Sequence, residues 1–263
     1  METSTNDLRS ALDGESTALG ALDNTYSPAL VELYGDLGLD FVWIDLEHAG
    51  PSPWDGPALD NLLRAAERSD TELLVRVPTT EPGLVRKALD AGVRNVFLSR
   101  VHDAADVEAA VRAARFEYDG EPGERGLASP RARRWGGVED YVGTEDRETL
   151  VGVTIETKEA VENIEDILAV PELGFVFAGP LDLSVALGHP DELDHPEVAA
   201  AIETIEDATR DSEVGLAGLG FGPEDVNAKA QRGYDMLNLG STTGALRGAV
   251  GSWLDDFEGT RSQ

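Results

Sequence analysis

The apolar run Phe41–Ile44 ends in Asp45, Glu47 and His48, three ionisable groups within four positions. The same transition recurs along the chain: Arg76 lies near the end of ELLVRVP, Glu156 closes LVGVTIE, and Asp182 stands two residues past GFVFAGP. Two carboxylates with open positions between them suit a hard divalent cation, Mg²⁺ or Mn²⁺, which keeps several of its waters. Such a cation chelates a 2-oxo acid and acts as a Lewis acid where negative charge develops on the keto oxygen, a charge that Arg76 would share. A histidine titrating near neutrality is the natural proton carrier beside it. The chemistry implied by these residue types is enolate formation.

Taken one at a time, each residue reads equally well as structure. His48 could be a satisfied core histidine, Arg76 a buried ion-pair partner, and Glu156 or Asp182 a carboxylate at the start of a helix. Taken together they read as a site, because two carboxylates, an arginine and a histidine on one face would repel or strand one another without a ligand to organise them.

Bringing them onto one face is the task of the fold. Eight apolar runs of strand length, at 17–24, 41–48, 72–78, 95–101, 150–157, 174–180, 214–221 and 235–241, alternate with segments such as PALDNLLRAAERS and DAADVEAAVRAARFE. The apolar residues of those segments recur with helical spacing, and one helix is expected after each strand. Strands buried on both faces and joined by crossover helices imply a parallel sheet, and eight such units close a (β/α)8 TIM barrel of the α/β class. The active site of a barrel lies at the C-terminal ends of its strands, where the polar residues above are found. An open doubly wound sheet is the alternative, but no G-x-G-x-x-G follows the first strand to support it. No linker divides the chain, so a single domain over residues 1–263 is expected.

The 21 Lys and Arg against 51 Asp and Glu leave a net charge of −30, which repels nucleic acid and anionic membranes. At molar salt the screening length falls to about 3 Å, and the acidity therefore reads as adaptation of a halophilic protein to a salty cytoplasm. The absence of cysteine excludes a disulfide framework, a zinc ribbon and a thiol nucleophile. With no signal-peptide core and no run of 18 apolar residues, a cytoplasmic protein is expected.

A Schiff-base aldolase requires a desolvated lysine at a strand end. Lys87 and Lys229 fall in helical patterns, and Lys158 stands at the start of one. LAGLGFGPED (216–225) and LNLGSTTGAL (237–246) resemble the Gly-rich anion-binding loops of barrels, so a substrate carboxylate or phosphate could bind there. The one long irregular stretch, 117–149, crowds Arg125, Arg131, Arg133 and Arg134 into ten residues. These arginines read equally as partners of the acidic surface and as an anion site or subunit contact.

In order along the chain, IDLEHA (44–49), VRVP (75–78), GERG (123–126), RARRWG (131–136), TIETKEAVENI (154–164), FAGPLDLS (177–184) and HPEV (195–198) resemble the successive motifs of the HpcH/HpaI aldolases. This family comprises metal-dependent class II pyruvate aldolases, and the resemblance covers nearly the whole chain. It implies reversible cleavage of a 4-hydroxy-2-oxo acid, such as 4-hydroxy-2-oxoheptanedioate or 2-dehydro-3-deoxyglucarate, to pyruvate and an aldehyde. It further implies that Glu156 and Asp182 hold the divalent metal (Mg²⁺ or Mn²⁺, with Co²⁺ a further option) and that Arg76 holds the pyruvyl oxygen. Gly179, Pro180, Leu181 and Thr154 then contact substrate, and His48 is the base. Asp90 is the carboxylate that orients it. Asp90 should lie at the opposite end of the barrel from the site, so it would reach a histidine only in a neighbouring subunit. The implied assembly is a homo-oligomer, a hexamer built as a trimer of dimers, with the amphipathic segment 242–258 exchanged between partners.

Three positions depart from the family pattern. Leu181 replaces a small residue or Asn, Thr154 stands where several members carry Gln, and LSRV (98–101) puts Arg100 near the end of strand four. Arg100 either faces inward and reads an acidic aldehyde or faces outward as a surface arginine. Asp45 and Glu47 read as structural. The competing activities are a β-hydroxyacyl-CoA lyase like the citrate lyase β relatives, an oxaloacetate decarboxylase, and a non-catalytic barrel that binds a 2-oxo acid.

Overall fold

The computed structural model describes residues 5–12, 14 and 16–257; the ends of the expected 1–263 domain, and Glu258 of the last amphipathic segment, lie outside the described residues. Among the described residues ten strands occur in chain order: β1 (Ala18–Leu22), β2 (Phe41–Asp45), β3 (Glu72–Val77), β4 (Asn95–Leu98), β5 (Glu117–Tyr118), β6 (Glu121–Pro122), β7 (Leu150–Ile155), β8 (Phe175–Ala178), β9 (Gly215–Leu219) and β10 (Met236–Ser241). All but β5 and β6 join edge to edge in parallel and close into a barrel, β1 pairing with both β2 and β10. The expected (β/α)8 architecture is therefore the one adopted. Among the described residues no helix is long and apolar enough to cross a membrane.

Strand alternation sorts the side chains into two cores. Phe41, Trp43, Leu74, Phe97, Phe175, Phe177, Ala217 and Met236 fill the lumen. Val42, Ile44, Val75, Val96, Val153 and Val176 face outward and pack with the helical apolar stripes. Trp43, Phe97 and Phe177 meet with ring centroids 5.5 Å apart and form the floor beneath the C-terminal mouth. Such wide rings fit only because facing positions are small: a Cβ on Gly152 would come within 2.3 Å of the Phe175 ring.

The structure departs from expectation in four places. The strands stop short of the apolar runs that announce them, β2 at Asp45 and β4 at Leu98. Residues beyond those points are released into the loops of the mouth. Second, β7 and β8 are each followed by two helices, Lys158–Glu162 and Ile164–Leu168, then Pro180–Ala186 and Pro196–Arg210. Third, an unexpected helix, Asp7–Leu12, meets the N-terminal end of the barrel, where the Asn6 amide donates to Asn95 Oδ1 and to the Glu148 carbonyl, both at 2.7 Å.

Fourth, the stretch 117–149 is built rather than irregular. It holds the β5–β6 hairpin and the helix Tyr141–Glu148. Its arginines are the reason: buried Arg125 donates to the Tyr141 hydroxyl and to Glu145, and Arg131 grips both oxygens of Glu67 at 2.8 and 2.9 Å. For these two residues the pairing reading holds, and a fork of fixed donors explains why arginine is used.

Candidate active site

β2 and β3 run in parallel with Asp45 opposite Arg76. Both residues continue the inward alternation of their strands, so an ion pair forms across the wall of the mouth. Arg76 Nε and Nη2 donate to the two Asp45 oxygens at 2.9 and 2.7 Å, and Nη1 lies 3.1 Å from Glu47 Oε2. Its guanidinium sits 5.0 Å from the centre of the Trp43 ring. Burial alone would raise the Asp45 pKa, but the hydrogen bonds and charge of Arg76 outweigh it and hold the carboxyl below its ordinary range.

Glu156 follows β7 and directly precedes Thr157, whose hydroxyl caps the next helix through Ala160 N–H. The Glu156 carboxylate is buried and accepts the Arg100 backbone N–H at 2.8 Å. Burial, helped by the charges of Asp182 and Glu47, pushes its pKa up from 4.5 to about 7 against the opposing pull of that N–H and of Arg76. Asp182 stands in the first turn of the helix Pro180–Ala186, half-buried. Four carboxylates thus share the mouth with one guanidinium that Asp45 and Glu47 already occupy.

The surroundings fit a divalent cation held by Glu156 and Asp182. A carboxylate this strongly raised beside like charges is one that a cation would relieve. Gly179 keeps the space open, since a Cβ there would lie 2.8 Å from Thr154 Cγ2 and 3.3 Å from Glu156 Oε2. Thr154 Oγ1, Ser99 Oγ, Asn238 Oδ1 and Trp43 Nε1 are buried with no hydrogen-bond partner. The first three stand two positions beyond the lumen residues Gly152, Phe97 and Met236. Polar atoms are rarely left so in an interior, and their clustering at this end marks it as a place built for a polar ligand.

The remaining expected residues are arranged differently. His48 lies exposed on the loop after β2, its Nε2 3.6 Å from Glu47 Oε2. Asp90 is near the C-terminal end of the helix Pro82–Ala91, at the opposite end of the barrel, where burial raises its pKa against the charges of Arg125, Arg86 and Lys87. Within one chain these two do not meet. Pro180 opens its helix and Leu181 is 46% exposed at the mouth. Lys158 is 62% exposed and pairs with Glu162 at 3.6 Å, so it lacks the desolvation a Schiff-base lysine needs.

Reading the sequence alone undervalued Asp45 and Glu47, which clamp Arg76, and missed Ser99 and Asn238. Alternation from Trp43 to Asp45 and from Met236 to Asn238 was the available signal. His189, His195 and Glu197 also bring donor atoms within 4.8 Å of one another. Here His195 Nδ1 accepts the Glu197 N–H as the cap of the helix Pro196–Arg210, which accounts for the HPEV motif structurally.

Comparison with known proteins places this geometry in a family. Residues 23–249 match the model of the HpcH/HpaI aldolase/citrate lyase family. The chain is 31% identical to a hydroxypyruvate/pyruvate aldolase of Chromohalobacter salexigens, over 98% of this chain and 100% of that one. It is also 31% identical to a 5-keto-4-deoxy-D-glucarate aldolase of Escherichia coli, over 96% and 97% of the two chains. A solved HpcH/HpaI aldolase/citrate lyase family protein from Burkholderia cenocepacia superposes with a TM-score of 0.90 at 31% identity, covering 96% of this chain and 99% of the other. The chain belongs to the HpcH/HpaI aldolase/citrate lyase family.

Proposed function

We propose that the chain is a divalent-metal-dependent aldolase, a carbon–carbon lyase that cleaves a 4-hydroxy-2-oxo acid reversibly to pyruvate and an aldehyde. The observation that carries this reading is the desolvated Glu156 beside Asp182, facing Arg76 across the C-terminal mouth with β4 between their strands. Glu156 and Asp182 would hold Mg²⁺ or Mn²⁺, which supplies Lewis acidity where charge develops on the keto oxygen.

The chain's own residues do the rest. An arginine has five N–H donors; Asp45 accepts two of those of Arg76, while Nη1 lies 3.1 Å from Glu47 Oε2 as an ion pair without a hydrogen bond, which leaves the remaining donors for the pyruvyl oxygen as it gains charge. Thr154 Oγ1 and the open cradle above Gly179 receive the 2-oxo acid, and the first-turn N–H groups of Leu181 and Asp182 receive its carboxylate. His48 takes the proton from the C4 hydroxyl. The C3–C4 bond then breaks, the aldehyde leaves, and its electron pair passes to the pyruvate enolate, which is protonated at C3. Asp90 of a neighbouring subunit orients His48, because the Asp90 of the same chain lies at the far end of the barrel.

The oligomer this requires has a surface available. The last helix, Thr242–Asp255, buries none of its residues and exposes Leu246, Trp253 (68%) and Leu254, with Phe257 just beyond it. Apolar area of this kind supports packing against a partner. Trp253→Asp is expected to convert an oligomer into a smaller species by sedimentation velocity and to reduce aldolase activity with it. An unchanged mass would assign the interface elsewhere.

The activity itself is tested by pyruvate release from 4-hydroxy-2-oxo acids of several lengths, in high KCl to screen the −30 charge, with Mn²⁺ or Mg²⁺ and then with EDTA. Release is expected with metal and lost with EDTA. Release that survives EDTA would sink the two-carboxylate site.

A further inference from the structure

The loop that carries His48 is seated on Tyr26. It leaves β2 at Asp45 and turns back at Gly50, and both ends meet that side chain. The Tyr26 hydroxyl donates to the Asp45 carbonyl at 3.1 Å. A Cβ on Gly50 would lie 2.7 Å from the same carbonyl oxygen and 2.9 Å from Tyr26 Cε1, and φ there is 97°, so only glycine closes the turn. His48 lies between these two anchor points with its side chain 58% exposed. Asp45 is thereby fixed twice, its carboxylate by Arg76 and the Glu47 N–H, its carbonyl by Tyr26.

Tyr26 is itself firmly held. Its backbone is left-handed, φ 56°, a conformation that a residue with a Cβ rarely takes. The residues on either side secure it: the Thr25 and Ser27 N–H groups both donate to the fully buried Asp23 carboxylate at 3.1 Å. That carboxylate also accepts the Thr25 and Thr242 hydroxyls at 2.7 and 3.0 Å, and the Asn24 amide bonds Thr243 through both its nitrogen and its oxygen. The turn bearing Tyr26 is thus stitched to the first residues of the helix Thr242–Asp255, the element that supports packing against a partner. Burial and the charges of Asp45 and Asp23 push the Tyr26 pKa up from 10.0 to about 12 against the pull of Arg76, so the hydroxyl keeps the proton it donates. Backbone strain secured this way points to a functional constraint on where the ring lies.

We propose that Tyr26 is a positioning residue for proton transfer, its hydroxyl and ring fixing the 45–50 loop so that His48 meets the C4 hydroxyl of the substrate. This rests on the aldolase reading of the same site. A proton passes only over hydrogen-bond distances, so a base on an exposed loop needs that loop held, and a displacement of about 1 Å costs on the order of 100-fold in rate. The role requires no contact between Tyr26 and substrate or metal, which makes it separable from binding.

The test is a split between turnover and binding, read below the melting temperature of every variant. Tyr26→Phe keeps the ring and loses only the hydroxyl. Its kcat for pyruvate release is expected to fall roughly tenfold, less than for a full 1 Å displacement. KM, and the affinity for pyruvate in titration calorimetry with Mn²⁺, should stay unchanged. Hydrogen exchange should quicken across 45–50 but not in β7 or the helix Pro180–Ala186, which present Glu156 and Asp182. Gly50→Ala leaves the hydroxyl in place and pushes the loop off the ring, and it should reproduce the kcat loss. An unchanged kcat in Tyr26→Phe would overturn the proposal. So would a parallel loss of pyruvate affinity, which would assign the hydroxyl to the Arg76 clamp instead of to His48. A wild type that releases no pyruvate from any 4-hydroxy-2-oxo acid would bring down the aldolase reading itself, and the role of Tyr26 with it.

Discussion

Glu156→Gln will abolish pyruvate release and at the same time raise the melting temperature of the metal-free protein at pH 8. The two effects have one cause. Burial and the charges of Asp182 and Glu47 raise the Glu156 pKa from 4.5 to about 7. A carboxyl raised in the folded state binds more protons there than in the unfolded chain, so between pH 4.5 and 7 stability falls as pH rises. Above pH 7 the full cost applies, at most about 3 kcal/mol at 1.36 kcal/mol per pKa unit. Glutamine has nearly the same shape, keeps an oxygen for the Arg100 N–H and has no charge to desolvate. It should therefore gain several degrees, since about 1 kcal/mol moves the melting point of a domain this size by roughly 2–4 °C.

Mn²⁺ should invert the order. Wild type gains stability from a cation that binds only the folded state, whereas the variant has lost one of two carboxylate ligands and gains little. The rate loss should exceed the roughly 10–100-fold typical of changes behind a metal ligand. Melting curves at pH 6 and pH 8, with Mn²⁺ and with EDTA, read all of these. A variant less stable than wild type without metal at pH 8 would mean that Glu156 is satisfied as it stands and is not waiting for a cation.

Arg76→Leu is expected to lose both activity and fold stability, the latter by about 3–5 kcal/mol, because it strands Asp45 and leaves Glu47 unpaired in a mostly buried setting. The stability effect alone would say nothing about chemistry. The double variant Asp45→Asn, Arg76→Leu removes the stranded charge as well, and its melting point should recover much of the loss. Activity should not recover, because the guanidinium donors that Asp45 leaves free are gone. Arg76→Lys keeps the charge without the fork and should fall between. Recovery of activity in the double variant would reduce Arg76 to a structural partner of Asp45, and with it the proposed role at the pyruvyl oxygen.

These predictions concern residues of which some were legible in the sequence and some were not. Eight apolar runs alternating with helical patterns determined the barrel, since parallel strands covered on both faces leave few alternatives. The ionisable ends of those runs determined the set from which the mouth is lined, because strand ends of a barrel share one face whatever the details of packing. Scarce lysine, with Lys158 at a helix start, was enough to argue against a Schiff base.

Only the tertiary structure decided which of those groups meet. Alternation assigns a side chain to the lumen or the helices, but not its height relative to the next strand, and the register opposing Asp45 to Arg76 joins residues 31 positions apart. The left-handed turn at Arg100 and the desolvation of Glu156 likewise arise from β4 and β7 lying side by side, across the built segment 117–149. Sequence periodicity is a local property and could place Glu156 at a strand end. Its raised pKa, the clamp on Arg76 and the separation of His48 from Asp90 within one chain come from closing the barrel, which no local pattern encodes.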